Sequence, residues 1–229
     1  MEIREFFSQF DARIAKYDLL CHPFYQAWTE GKLTHDDLRD YAEQYYLHIE
    51  AFPTYLAELG IRLEDGELRR AVLANLADEK GMDTPGERPH SDLWLDFVEG
   101  MGGRPSLGHR PLHEVKQLLA FFHRVSSEGA PAEALAAFYA YESQVPRIAK
   151  EKDRGLKEVY GADEKTRGYF RLHITADVHH SQVWRQQLDK ELQSHPEMAE
   201  PALAAAENAA QALWRALDAI DARRAAKAA

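Results

Sequence analysis

Apolar positions recur along this chain every three or four residues and almost never alternate. That period aligns side chains on one face of an α-helix, so the sequence predicts helix nearly throughout and almost no strand. Ile3, Phe6, Phe7, Phe10 and Ile14 form the first stripe. Pro23 suits a first helical turn and opens a short helix with Phe24 and Trp28, which Gly31 ends. Thr34 is a good N-cap, with Asp36 and Asp37 in the first turn, for a long helix through Tyr41, Tyr45, His48 and Phe52. Pro53 is expected to kink that helix rather than end it, because the apolar spacing resumes at Tyr55 and Leu56.

Further helices are expected from Asp65 to Glu79, from His90 to the Gly102-Gly103 pair, and over about 110–128, 131–160, 163–194 and 199–226. The fourth of these carries Pro146. KGMDTPGERP, with two glycines and two prolines, is the clearest loop. No internal repeat and no long linker divides the chain. Residues 1–229 are therefore read as one all-α domain, a compact multi-helix bundle.

Composition narrows the function. Acidic residues outnumber basic ones by 38 to 28, a net charge of −10, which argues against a nucleic-acid partner. Arg223, Arg224 and Lys227 cluster locally, as expected of charges capping a helix end. Cys21 is the single cysteine, the N-terminal segment lacks an apolar signal core, and no apolar run is long enough to span a bilayer. A cytoplasmic protein with no membrane partner is expected. Aromatic residues near the N-terminus, read as exposed, point weakly to a homodimer.

The candidate chemistry lies on the apolar faces. His173, Asp177 and His180 are spaced four and three residues apart. At about 100° per residue they fall within roughly 60° of each other on one face, whereas His179 points away. A lone histidine there is usually a satisfied core residue, and a His-Asp pair only a buried hydrogen bond. Three ionisable groups on one apolar stripe favour metal ligation over either. Glu142 shares its face with Leu135, Phe138, Val145 and Ala149, and Glu79 with Leu68, Val72 and Leu76. A buried glutamate needs a proton, a cation or a metal. His90 opens the helix after the loop, and taken alone is either a ligand or a capping residue. These six suit a pair of metal ions, iron or manganese before structural zinc. The spacing differs from the paired Glu-x-x-His of ferritin-like bundles.

DLLCHPFYQAW, YAEQYYLHIEAFPTYL, NLADE, HSDLW, YAYESQVPRIAKEKDRGL and HITADVHH, in this order, closely resemble the CADD family, the chlamydial protein associating with death domains and its bacterial relatives. The resemblance implies a haem-oxygenase-like fold, of the kind shared with thiaminase-like and pyrroloquinoline-quinone oxidase proteins. It also implies a dimetal oxygenase, di-iron or iron/manganese, using dioxygen and an external reductant to form para-aminobenzoate for folate synthesis. The family's metal ligands carry over onto Glu79, His90, Glu142, His173, Asp177 and His180. Its self-supplied aromatic ring falls on Tyr25 and its candidate amino donor on Lys152, with Tyr141 and Tyr169 as aromatics near the metals. The Glu79–His90 loop is longer than the family pattern, so His90 is the ligand whose position most needs the structure. Lys152 stands in the polar run KEKD, where it reads equally as part of a solvated face. Competing expectations are a quinone-forming oxidase or thiaminase-like enzyme on the same fold, and a non-enzymatic death-domain-binding module.

Overall fold

The computed structural model describes residues 1–82, 85–104 and 110–228. Among them there are eleven α-helices, two short 3₁₀ turns and no strand. The helices are α1 Ile3–Ala15, α2 Pro23–Thr29, α3 His35–Arg62, α4 Glu67–Glu79, α5 His90–Gly100, α6 His113–Ser127, α7 Pro131–Glu142, α8 Val145–Glu158, α9 Gly168–His173, α10 Ala176–Ser194 and α11 Ala199–Ala228. No helix among the described residues is long and apolar enough to cross a membrane.

Helix α3 forms as its sequence dictates. Thr34 and Asp37 close a reciprocal capping box, Asp37 N–H donating to Thr34 Oγ1 at 3.1 Å and Thr34 N–H to Asp37 Oδ2 at 2.8 Å. Pro53 lies inside the helix without ending it. Tyr41, Tyr45, His48, Phe52 and Tyr55 all face inward as one aromatic ladder.

Two expected long helices are each broken in two. The 131–160 helix stops at Glu142 and restarts as α8 at Val145, because Pro146 has no N–H and its ring would strike the carbonyl four residues back. Gln144 heals the break, its Nε2 donating to Ala140 O at 3.1 Å and its Oε1 accepting from Leu19 N–H at 3.1 Å. The 163–194 helix breaks between His173 and Ala176. Ile174 and Thr175 are both β-branched, and the Thr175 hydroxyl donates back to Leu172 O at 3.2 Å, competing with the helical ladder.

Helix α7 is buried along its whole length and packs most extensively on α11. Alanines line both helices there (Ala136, Ala137 and Ala140 against a run from Ala202 to Ala216), so the backbones approach closely. Helix α10 covers another side of α7, and α3 packs on α4, α5 and α6. Phe6, Phe7 and Phe10 are buried rather than exposed, with Phe7 and Phe10 against Tyr139, which removes the observation on which self-association was expected. At the tail, Arg223 and Lys227 reach Asp40 of α3 at 3.2 and 3.5 Å, and Arg224 pairs with Asp221. Those charges tie α11 to α3 rather than only capping its end.

Candidate metal centre

Five of the six acids and histidines singled out in the sequence stand in the first or last turn of a helix: Glu79 ends α4, His90 opens α5, Glu142 ends α7, His173 ends α9 and Asp177 begins α10. His180 follows one turn further along α10. All six are at most 5% exposed. His179, between two of them in sequence, is exposed as expected.

The end of α4 explains how Glu79 and His90 meet. Gly81 N–H donates to Asp78 O and Met82 N–H to Ala77 O, both at 2.8 Å, which is a Schellman termination. It requires the left-handed φ of +62° that Gly81 adopts. A Cβ on Gly81 would lie 2.6 Å from the Arg88 carbonyl carbon, so the returning chain passes directly over this glycine. Arg88 then fastens to α5, donating to Asp96 at 2.5 Å and to Asp92 O at 3.1 Å. His90 Nδ1 is thereby placed 3.1 Å from Glu79 Oε2. Asp83 and Thr84 of the long loop lie outside the described residues.

Donor atoms of Glu79, His90 and His173 all lie within 4.8 Å of one another, and so do those of Glu79, Glu142 and His180. Glu79 is common to both groups. Asp177 belongs to neither trio but lines the same small cavity, with its Oδ1 3.3 Å from His180 Nδ1.

The hydrogen bonding is that of a ligand set. Both ring nitrogens of His90, Oε1 of Glu142 and Nδ1 of His180 are buried without a hydrogen-bond partner. Buried polar atoms are seldom left so, and several converging on one point fit a cation. The remaining atoms are held from behind. His173 Nδ1 meets Tyr169 O at 2.7 Å, and its ring stacks on that of Tyr169 at 3.9 Å, freeing Nε2 for the cluster. Trp184 Nε1 donates to Glu142 Oε2.

The protonation behaviour shows what the cavity selects. Burial drives the Glu142 carboxyl well above the usual range, and the charges of Asp177 and Glu79 add to it. Burial alone would lower His180, but the surrounding carboxylates of Asp177, Asp78 and Glu142 push it up to about 11. The pocket holds more carboxylates than it can leave uncompensated and so favours positive charge, whether protons or metal ions.

A second chamber adjoins the first. Tyr141 and Tyr169 line both, and beyond them lie Tyr45, Tyr41 and Tyr25. Tyr25 Oη and Tyr41 Oη are 2.8 Å apart, and burial raises both phenols well above their ordinary range. Lys152 is not on a solvated face. It is 1% exposed, and its Nζ sits 3.1 Å from the Tyr25 ring centroid and 3.9 Å from that of Trp28. Burial lowers its pKa well below the ordinary lysine value, and no carboxylate pairs with it among the described residues. Sequence reasoning missed two contributors, Tyr41 and Asp78. A signal for Lys152 was present: Ile148, Ala149, Gly155 and Leu156 share its helical face.

The model of a family described as iron-containing redox enzymes matches residues 39–214. The chain belongs to that family. The match includes all six clustered residues and Tyr41, Tyr45, Tyr141, Lys152 and Tyr169, while Tyr25 lies before it. The chain is 38% identical to the 4-aminobenzoate synthase of Chlamydia trachomatis over 216 residues, covering 93% of this chain and 90% of that one. It is 39% identical to the 4-aminobenzoate synthase of Nitrosomonas europaea over 232 residues, covering 96% and 92%. A TenA homologue from Pseudomonas syringae has the same fold at 18% identity, with a TM-score of 0.82 and 96% and 95% of the two chains covered. The CADD resemblance and the haem-oxygenase-like fold drawn from the sequence are thus borne out, and with them an oxidoreductase.

Proposed function

We propose that this protein is an oxygen-dependent dimetal oxidoreductase that forms 4-aminobenzoate, taking the aromatic ring from its own Tyr25 and the amino nitrogen from Lys152. The observation that carries this reading is the Lys152 amine set against the face of Tyr25, which lines a chamber that shares Tyr141 and Tyr169 with the carboxylate–histidine cluster. The Chlamydia trachomatis and Nitrosomonas europaea proteins named 4-aminobenzoate synthase match almost from end to end, which supports the same reaction here.

Glu79, His90, Glu142, His173, Asp177 and His180 would hold two metal ions, iron with iron or iron with manganese. When bound, such a pair supplies dioxygen activation, with electrons from an external reductant. The chain's own residues do the rest. Desolvation lowers the Lys152 pKa and so favours the neutral amine, the state in which its lone pair can attack or transfer. Tyr41 holds the Tyr25 hydroxyl in place, and burial keeps that phenol protonated until it is oxidised. A protein that consumes its own side chain makes product once per chain.

A thiaminase-like alternative would need a thiol in the cavity, and Cys21 is exposed instead. The test is rescue of a para-aminobenzoate auxotroph. Wild type should restore growth, while Tyr25→Phe and Lys152→Arg should not. Growth with both variants would remove the self-supply reading and leave the metal centre standing.

A further inference from the structure

Each of two histidines in the cluster has one ring nitrogen anchored from behind, but the anchors differ. His173 uses the backbone carbonyl of Tyr169, a neutral acceptor. His180 Nε2 lies 2.7 Å from Oδ2 of Asp78, a carboxylate. The other nitrogen of His180, Nδ1, has no hydrogen-bond partner and faces Asp177 Oδ1 at 3.3 Å and Glu142 Oε1 at 3.8 Å.

We propose that Asp78 is a positioning residue for one of the two metal sites: its carboxylate fixes His180 with the proton on Nε2, so that the Nδ1 lone pair points at the site formed with Glu79 and Glu142. A carboxylate anchor orients the ring and makes the imidazole a stronger donor than a carbonyl anchor does, and loss of such a partner typically weakens metal binding about 10- to 100-fold. Of the cluster's histidines, His180 is the one that the Asp78 carboxylate contacts directly. Asp78 reaches the cluster from α4 on the side of α10, while His90 and His173 are held by Gly81's loop and by Tyr169. The adjacent Glu79 ties the two together structurally: the last turn of α4 sends Glu79 inward as a shared ligand and Asp78 sideways as a support. The two sites are therefore unequal by construction, one backed by a charge and the other by a peptide.

This inference rests on the proposed metal centre, and the experiment separates the two. The metal-free full-length chain is titrated with Co(II), and each dissociation constant is read from visible absorption. Wild type should bind two ions. Asp78→Ala should weaken one of them about 10- to 100-fold and leave the other unchanged. Asp78→Asn, which keeps an acceptor but not the charge, should fall between, and it carries the comparison if the alanine variant does not fold. In a His180→Ala background, Asp78→Ala should cause no further loss. Unchanged binding of both ions in Asp78→Ala, equal weakening of both, or a loss that persists without His180 would overturn the assignment. Absence of ions from wild type would instead sink the metal-centre reading, and this inference with it.

Discussion

His48 offers a measurement of how dry the region behind Tyr141 is. Its ring is fully buried on α3, and neither nitrogen has a hydrogen-bond partner. The rings of Tyr141, Phe122, Tyr45, Tyr55 and Phe52 surround it, with centroids 4.9 to 6.3 Å away. Burial lowers its pKa from 6.5 to about 3. The unfolded chain therefore takes up a proton near pH 6.5 that the folded chain refuses. A depressed folded-state value means full stability above the unfolded pKa and progressive loss as pH falls toward the folded one. At pH 5 the gap of 1.5 units below the unfolded value amounts to about 2 kcal/mol, at ~1.4 kcal/mol per unit. The perturbation is His48→Phe, which fits the aromatic surroundings and cannot titrate. Urea unfolding of the metal-free protein at pH 7.5 and pH 5, followed by tryptophan fluorescence, gives four stabilities. Groups common to both proteins cancel in the double difference. Wild type should lose about 2 kcal/mol more than the variant on acidification. Equal losses would mean that folded His48 accepts its proton freely, and the anhydrous description of this wall would fail.

Three further outcomes follow from the geometry. Gly81→Ala forces a side chain into a left-handed turn and against the Arg88 backbone, so it should cost about 2 kcal/mol or more in unfolding experiments and weaken metal uptake; a variant matching wild type in both would refute the link between that turn and His90. Glu142→Ala and His173→Ala should each lower metal content from two ions per chain, read by elemental analysis, while circular dichroism stays helical. Fewer than one ion per wild-type chain after reconstitution would defeat the dimetal reading outright. Lys152→Met should raise the melting temperature at neutral pH, because the folded protein no longer has to bury an amine. Since burial depresses the folded-state value of Lys152, wild type gains stability as pH climbs toward 10.5, and the gap to Lys152→Met should narrow. A gap that widens would contradict a folded-state pKa lowered by burial.

The sequence revealed the inward acids more securely than the continuity of the helices that bear them. Glu79 and Glu142 were legible because each shares a helical face with residues that can only be core. Across residues 173–180 the one-face spacing does not hold, because the helix is broken at Ile174 and Thr175. His173 still converges with Asp177 and His180, but tertiary packing achieves it, not a shared face. Pro53 and Pro146 show why breaks are hard to foresee: one is absorbed within α3, the other starts a new helix. Local pattern gives both the same weight, and the surroundings decide. Asp78 had no sequence signal, since beside Glu79 it reads as a solvated acid. Only the approach of α10 gives it a histidine. Lys152 was obscured for the opposite reason, charged neighbours drawing attention from an apolar face that was present.

The alanine seam between α7 and α11 has a consequence for biosynthesis. Helix α7 carries Tyr141 and Glu142, and every side of it is covered, yet the helix that covers it most is translated after all the other described helices. Chains are made at about 5–20 residues per second. For about two to six seconds the preceding helices therefore exist without the helix that packs most extensively on α7. A ribosome-bound chain lacking α11 is therefore expected to take up iron less well than the released chain.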